Sequence, residues 1–156
     1  MNRTLKITLI IVGAVFVLIQ FVRPDMNNPP VDASKTIFAT IQVPPDIAAL
    51  LKNSCFDCHS NETRWPLYSY IAPASWLVAD DVTEGRRHMN FSEWGTYSAR
   101  KQSAKLGKIR EEVEEEGMPL PKYLLLHRSA RLSAGDRKAI MDWVAKERKG
   151  ADADED

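Results

Sequence analysis

The sequence of 156 residues predicts an all-α protein in which one small helical domain follows a single apolar N-terminal helix. Three observations support this fold class. Downstream of Pro45, apolar residues recur at spacings of three and four, the period of an amphipathic helix. No segment alternates convincingly between apolar and polar residues, as a half-buried strand would. Near the N-terminus, the residues from Ile7 to Val22 form an uncharged, mostly apolar run.

The composition excludes several classes of protein. The chain has 21 basic and 21 acidic side chains, so it lacks the strongly basic surface that nucleic-acid binding requires. At 44% hydrophobic residues it is expected to fold, and two cysteines cannot build a disulfide framework. Arg3, Lys6 and Arg23 flank the apolar run, and the remaining residues carry a small excess of acidic groups.

Residues 1–22 are predicted to form a membrane anchor. The uncharged run would cover about 24 Å as a helix, and Leu5 with the stem of Lys6 can extend it toward the roughly 30 Å of a bilayer core. A cleaved secretory signal is the alternative, with Arg3 and Lys6 as its basic start, but no A-x-A site follows the run directly. Both interpretations export the rest of the chain. The positive residues at the start are expected to stay in the cytoplasm.

Three further segments follow the anchor. Residues 23–45 contain five prolines and are predicted to form an extended, semi-rigid spacer. Within it, Ile37, Phe38 and Ile41 could pack back on the domain. Residues 46–149 form the helical domain, and residues 150–156 form a solvated acidic tail.

Four helices are predicted in the domain. Pro45 opens the first and Pro73 the second. The third runs from about Ser98 to Glu116, and the pair Ser133 and Asp136 caps a fourth that ends near Gly150. The residues predicted to face the core are, helix by helix, Ile47, Leu50 and Leu51; Trp76, Leu77 and Val82; Leu106, Ile109 and Val113; and Ile140, Trp143 and Val144.

Both cysteines lie in the motif Cys55-Phe56-Asp57-Cys58-His59. A c-type haem needs two thiols spaced to form thioethers with its two vinyl groups, and an imidazole beside the second thiol to bind the iron. A thioredoxin-like dithiol would need a βαβ pattern, a zinc site would need a second ligand pair, and a disulfide here would close a very small loop. The motif therefore predicts one covalent haem c with His59 as the proximal iron ligand.

The second axial ligand is predicted to be Met118, which stands between Gly117 and Pro119 just after the third helix. A thioether there can face the imidazole across the ring, and Met/His ligation raises the reduction potential. His88 is the next candidate, and Met89, Met141 or an open site are further alternatives. His127 is expected to be a half-buried or capping residue.

Several linked motifs extend the similarity beyond C-x-x-C-H. In chain order they are Cys55–Thr63, Trp65–Tyr68, Ile71–Trp76, Gly85-Arg86, Asn90–Trp94, Met118-Pro119, Tyr123, Leu132-Ser133 and Asp142-Trp143. Together they resemble the bacterial haem-binding domain family related to cytochrome c, over roughly Pro45 to Glu147. The resemblance implies a compact, cytochrome-c-like all-α fold around one covalent haem, usually near a membrane or fused to other modules. It supplies no physiological reaction.

The residues between these motifs suggest how the haem would be held. Aromatic side chains between positions 65 and 94 can wall a large flat ring: Trp65, Tyr68, Tyr70, Trp76, Phe91 and Trp94. For the two tyrosines an ordinary core role is preferred. Haem propionates need donors, and the predicted ones are Arg64, Arg86, Arg87 and the indole of Trp76 or Trp94. The carbonyl of Pro66 or Pro73 could accept the free N–H of His59.

These observations predict a membrane-anchored monohaem c-type cytochrome that carries single electrons and is not an enzyme. It would sit in the bacterial inner membrane as a single-pass protein, with the haem domain in the periplasm. The expected partners are the membrane and protein redox partners or a membrane redox complex, and the glutamate-rich run Arg110–Glu116 could serve as an acidic docking face. Two alternatives remain, namely an accessory subunit of a larger membrane complex and a haem sensor or peroxidase with an open distal site.

Overall fold

The computed structural model describes residues 2–153, with side chains through residue 148. Its α-helices are α1 (Arg3–Ile19), α2 (Ile37–Thr40), α3 (Pro45–Ser54), α4 (Phe56–His59), α5 (Ala74–His88), α6 (Ala99–Glu114), α7 (Pro121–Leu124) and α8 (Ala134–Ala153). Four 3₁₀ turns lie between them, at Ala33–Lys35, Leu67–Tyr70, Phe91–Thr96 and Arg128–Ala130. No strand occurs within residues 2–153, so the predicted all-α class is confirmed there.

The N-terminal helix α1 exposes its apolar side chains along its length, with Ile10 at 70% exposed. Backbone N–H groups of Gln20, Phe21 and Val22 each donate to the carbonyl three residues earlier, which continues the helical turn to Val22. In the part of the chain that the structure describes, no helix is both long enough and apolar enough to cross a membrane.

The predicted helix starts are confirmed in the domain. Pro45 occupies the first turn of α3, where its missing N–H costs no hydrogen bond. The backbone N–H of Asp136 donates to Ser133 Oγ at 3.1 Å, and Asp136 Oδ2 accepts from the N–H of Ser133 at 2.8 Å. This reciprocal cap opens α8, which runs to Ala153 and therefore past the predicted end near Gly150. Beyond Ala153, the predicted acidic tail lies outside the described residues.

The hydrophobic core lies where α3, α6 and α8 meet the Phe91–Thr96 turn. Phe56 stacks on Phe91 with ring centroids 5.2 Å apart, and Phe91 stacks on Trp94 at 6.0 Å. The predicted core faces of α6 and α8 are buried as expected. Each large apolar side chain removed from water contributes about 1.5–3 kcal/mol, so these contacts hold the walls around the site.

The inward face of α5 differs from the prediction. Trp76 is only half-buried and Leu77 is 60% exposed, so both were wrongly assigned to the core, whereas Val82 is buried. Small residues face inward in their place, because α5 crosses α4 at very short range. A Cβ on Gly85 would lie 2.5 Å from the carbonyl oxygen of Cys58, closer than packed atoms can approach. Only glycine allows this crossing.

The segment after α1 is fastened to the domain by hydrogen bonds. The Gln20 side chain accepts from the N–H of Ala72 at 2.9 Å and donates to its carbonyl at 3.2 Å. The indole N–H of Trp76 donates to the Val22 carbonyl at 2.7 Å. Farther along, Ile37 is fully buried against the domain. Residues 20–37 therefore contact the domain at several points.

Candidate haem site

A cavity of about 810 Å³ lies between α4, α5, α6 and the segment from Met118 to His127. This volume falls within the roughly 300–1,000 Å³ usual for small-molecule and cofactor sites. Apolar side chains make up much of its wall, among them Val82, Phe91, Ile109, Val113 and Leu120. The cavity therefore offers a largely apolar surface large enough for a flat ring.

The C-x-x-C-H motif forms the short helix α4 and contributes three chemically active groups to this cavity. Cys55, Cys58 and His59 all line it. Backbone N–H groups of Cys58 and His59 both donate to the carbonyl of Cys55, at 3.2 and 2.9 Å. This single tight turn directs both thiols and the imidazole to the same space.

Two backbone carbonyls orient the imidazole of His59. Its Nδ1 lies 2.9 Å from the Gly85 oxygen and 3.1 Å from the Met89 oxygen. Since carbonyls only accept, the network assigns the proton to Nδ1 and leaves Nε2 with a free lone pair, as an iron ligand needs. The predicted partners Pro66 and Pro73 were wrong, because the end of α5 supplies the carbonyls.

The surroundings keep the site groups neutral. Burial lowers the pKa of His59, so the imidazole stays uncharged at neutral pH despite its two carbonyl partners. Burial also raises the pKa of the Cys55 thiol to about 12 and that of Cys58 to about 11. Both thiols are therefore protonated at neutral pH.

Met118 lines the same cavity from the segment that follows α6. Its backbone N–H and that of Gly117 both donate to the carbonyl of Glu112, at 3.2 and 2.9 Å. Between them and the helix, Glu116 adopts a left-handed backbone with φ of 58°. This turn reverses the chain, so the half-buried Met118 returns to the cavity wall.

The other candidates for the distal position lie differently. His88 lines the cavity rim, but its side chain is 69% exposed. Met89 also lines the cavity, whereas Met141 does not and instead packs against the core. His127 is half-buried and stacks on Tyr123 with ring centroids 4.1 Å apart.

Six side chains predicted to contact the haem lie outside the cavity lining: Arg64, Trp65, Trp76, Arg86, Arg87 and Trp94. Trp94 is fully buried in the core, and Trp76 donates to the Val22 carbonyl. Arg86 donates to Ser60 O, Asn27 O, Asn28 Oδ1 and Thr63 Oγ1, at 2.7–3.0 Å. It joins the segment after α1 to the back of the C-x-x-C-H turn.

Sequence reasoning missed several cavity residues. Tyr123 donates its hydroxyl to Asp57 Oδ2 at 2.9 Å, across 66 positions of sequence. Burial and the nearby Asp57 carboxylate both raise the pKa of Tyr123. Lys101 and Lys105 of α6 also line the cavity. Their spacing of four on a helix was visible in the sequence, but such a pair is usually a solvated face.

The groups present fit a c-type haem. Two neutral thiols stand beside an imidazole whose Nε2 is free, a thioether approaches from a different element, and the walls are largely apolar. A soft thioether and an imidazole are both established iron ligands in haem proteins.

Comparisons with known proteins agree with this chemistry. The model of the haem-binding domain family matches residues 14–146, most of the chain. Over 102 residues, or 64% of its length, the chain is 30% identical to the cytochrome c peroxidase Ccp of Escherichia coli (strain K12). That similarity covers 22% of the peroxidase. No solved structure matches the chain significantly.

Proposed function

The chain belongs to the haem-binding domain family, and on that premise we propose that it is a membrane-anchored monohaem c-type cytochrome that carries single electrons. The observation that carries the proposal is the convergence of Cys55, Cys58 and His59 on one apolar cavity, with Met118 lining it from another element. In this proposal Cys55 and Cys58 would hold the haem covalently, and His59 and Met118 would supply its iron ligands.

The protein would tune the redox chemistry through these groups. The bound haem supplies an iron that alternates between two oxidation states one electron apart. The carbonyls of Gly85 and Met89 hold the Nδ1 proton of His59, which fixes the ring and raises the basicity of Nε2. Met118 would supply a soft ligand that favours the reduced iron, and the largely apolar wall would lower the polarity around it. The soft thioether and the apolar wall both support a raised reduction potential.

The same proposal includes export and attachment to the bacterial inner membrane through residues 1–22. The exposed apolar face of α1, the turn that continues to Val22 and the flanking Arg3, Lys6 and Arg23 support it. Attachment would keep the haem domain in the periplasm near membrane redox partners, which raises their effective concentration. The hydrogen bonds between Gln20 and Ala72 would limit how far the domain swings from the bilayer.

A peroxidase is the second candidate, because the chain shares 30% identity with part of a cytochrome c peroxidase. Peroxide cleavage requires an open iron position on the distal side and groups that move protons there. His88 and His127 line the cavity and are the imidazoles available for that role. The two functions therefore differ in whether Met118 closes the distal position.

The reactivity of the ferric holoprotein toward cyanide and hydrogen peroxide separates the two. An electron carrier whose distal iron position is occupied by Met118 should bind cyanide slowly and consume little peroxide. Met118→Ala opens the position and is the matched control, so it should react much faster than the wild type. Rapid reaction of the wild type, equal to that of Met118→Ala, would contradict the carrier and favour the peroxidase.

A further inference from the structure

Two lysines of α6 converge at the rim of the haem cavity. The ammonium groups of Lys101 and Lys105 lie 4.6 and 4.9 Å from the centre of the same Tyr97 ring. The Tyr97 hydroxyl accepts from the backbone N–H of Asn90 at 3.0 Å, which holds the ring in place. Lys105 also donates to the carbonyl of His88.

This pair has no anionic partner among the residues that the structure describes. No carboxylate oxygen there lies within 4.0 Å of either ammonium group. The next lysine along the same cavity wall, Lys108, differs because it pairs with Glu111 at 2.6 Å. Burial and the charge of Lys101 both lower the pKa of Lys105, as expected for cations brought together without an anion.

The charges near the cysteines are arranged differently, because both carboxylates there are already paired with cations. Asp57 pairs with Arg64 at 3.0 Å and also accepts from Tyr123, while Asp81 pairs with Lys122 at 2.7 Å. Burial is the main cause of the raised pKa of Cys58; Asp81 and Asp57 add to it, whereas the cations Lys122 and Arg86 act against it. The cations near the thiols, Arg64 and Lys122, therefore already have anionic partners, unlike Lys101 and Lys105.

A haem brings two negative charges of its own. Its vinyl groups and its propionates are on opposite edges of the ring, so thioethers to Cys55 and Cys58 would leave the propionates away from the thiols. The arginines predicted for them are engaged elsewhere: Arg64 with Asp57, Arg87 with Glu84, and Arg86 with the segment after α1. The two unpaired lysines remain on the cavity wall.

We propose that Lys101 and Lys105 bind the haem propionates. This assignment rests on the proposed haem attachment and extends it to residues that the C-x-x-C-H motif does not indicate. The lysines offset the negative charge of the propionates, and the propionate groups in turn relieve the repulsion between the two ammonium groups.

The reduction potential of the holoprotein, measured as a function of pH, tests this assignment. An ionised propionate stabilises ferric iron, so the potential rises as pH falls through the propionate pKa. Lysines beside the propionates keep that pKa low. In the double variant K101Q/K105Q the potential at neutral pH should fall, and the rise should begin about one pH unit higher, a tenfold change in proton affinity.

Two control variants make the result specific. K108Q removes a lysine from the same wall whose charge is already paired, so its profile should match the wild type. K101R/K105R keeps both charges and should restore the wild-type profile. A double-glutamine variant with the wild-type profile, or with the profile of K108Q, would overturn the assignment while leaving covalent attachment intact. A wild-type protein that loses its haem on denaturation would instead overturn the proposed function, and the propionate assignment with it.

Discussion

The two walls of the cavity hold their proposed iron ligands in different ways. His59 lies within a short helix, and its Nδ1 contacts the carbonyls of both Gly85 and Met89. Its ring edge also faces Phe91, with centroids 6.3 Å apart. Met118 lies in a turn after α6, where backbone hydrogen bonds to Glu112 position the chain but no polar contact orients the thioether.

This difference indicates a division of roles. On the His59 wall, several elements fix the orientation of the imidazole at once, because α4, α5 and the Phe91–Thr96 turn all contact it. The Met118 wall depends on how α6 ends, so its side chain has more freedom. We therefore expect changes to the His59 wall to affect attachment and stability, and changes to the Met118 wall to affect the spectrum and the potential.

Removal of both thiols should have the largest effect on the His59 wall, because it abolishes covalent attachment of the haem. Cys55→Ser/Cys58→Ser leaves the imidazole in place but removes both thioether bonds, so haem should separate from the polypeptide on denaturation. The wild type should retain it. Extraction of the denatured proteins with acidified organic solvent, followed by absorption of each phase, provides the measurement. Haem still bound to the denatured double variant would refute attachment through these cysteines.

The crossing of α5 over α4 predicts the next largest effect. Gly85→Ala would bring a Cβ within 2.5 Å of the Cys58 carbonyl oxygen, which is backbone and cannot rotate away. We expect α5 to shift and the free energy of unfolding to fall by about 1–3 kcal/mol. Denaturant unfolding of the holoprotein measures it.

A second helical glycine provides the control for that prediction. At Gly107 of α6 a Cβ would meet only the flexible end of Arg148, at 3.2 Å. Gly107→Ala should therefore be neutral, or stabilising by about 0.5–1 kcal/mol through helix propensity. Equal effects of Gly85→Ala and Gly107→Ala on the free energy of unfolding would show that the close crossing of α5 and α4 is not what makes Gly85→Ala destabilising.

Arg86 and its neighbour Arg87 predict a contrast of similar size on the side of His59 that faces away from the cavity. Arg86→Ala removes four hydrogen bonds from one guanidinium and should cost about 1.5–3 kcal/mol of unfolding free energy. Arg87→Ala removes an exposed ion pair with Glu84, which should cost at most about 1 kcal/mol. Neither should change the pH profile of the potential, since neither side chain lines the cavity. A clear change in that profile for Arg86→Ala would instead indicate that Arg86 contacts the propionates.

Local signals predicted much of the domain and the centre of the site. Pro45 marked the start of α3, Ser133 with Asp136 marked the start of α8, and the C-x-x-C-H motif marked the groups that meet on the cavity. These features depend on residues a few positions apart, so a sequence pattern can carry them.

The remaining features depend on contacts between distant elements. The carbonyls on His59 come from positions 26 and 30 residues away, and they reach it only because Gly85 lets α5 approach Cys58. Gly85, a glycine inside a helical pattern, was the available signal, because glycine costs helix stability and can have a packing reason. For Trp76, hydrophobicity predicted a core position, whereas the segment after α1 provides its hydrogen-bond partner.

The ferric absorption spectrum of the holoprotein and of Met118→Ala tests the proposed ligation most directly. With His59 and Met118 as axial ligands, the wild type should be low-spin and show a weak sulfur-to-iron charge-transfer band near the infrared edge. Met118→Ala should lose that band and retain its covalent haem. A high-spin wild type, or a band that persists in Met118→Ala, would contradict the account.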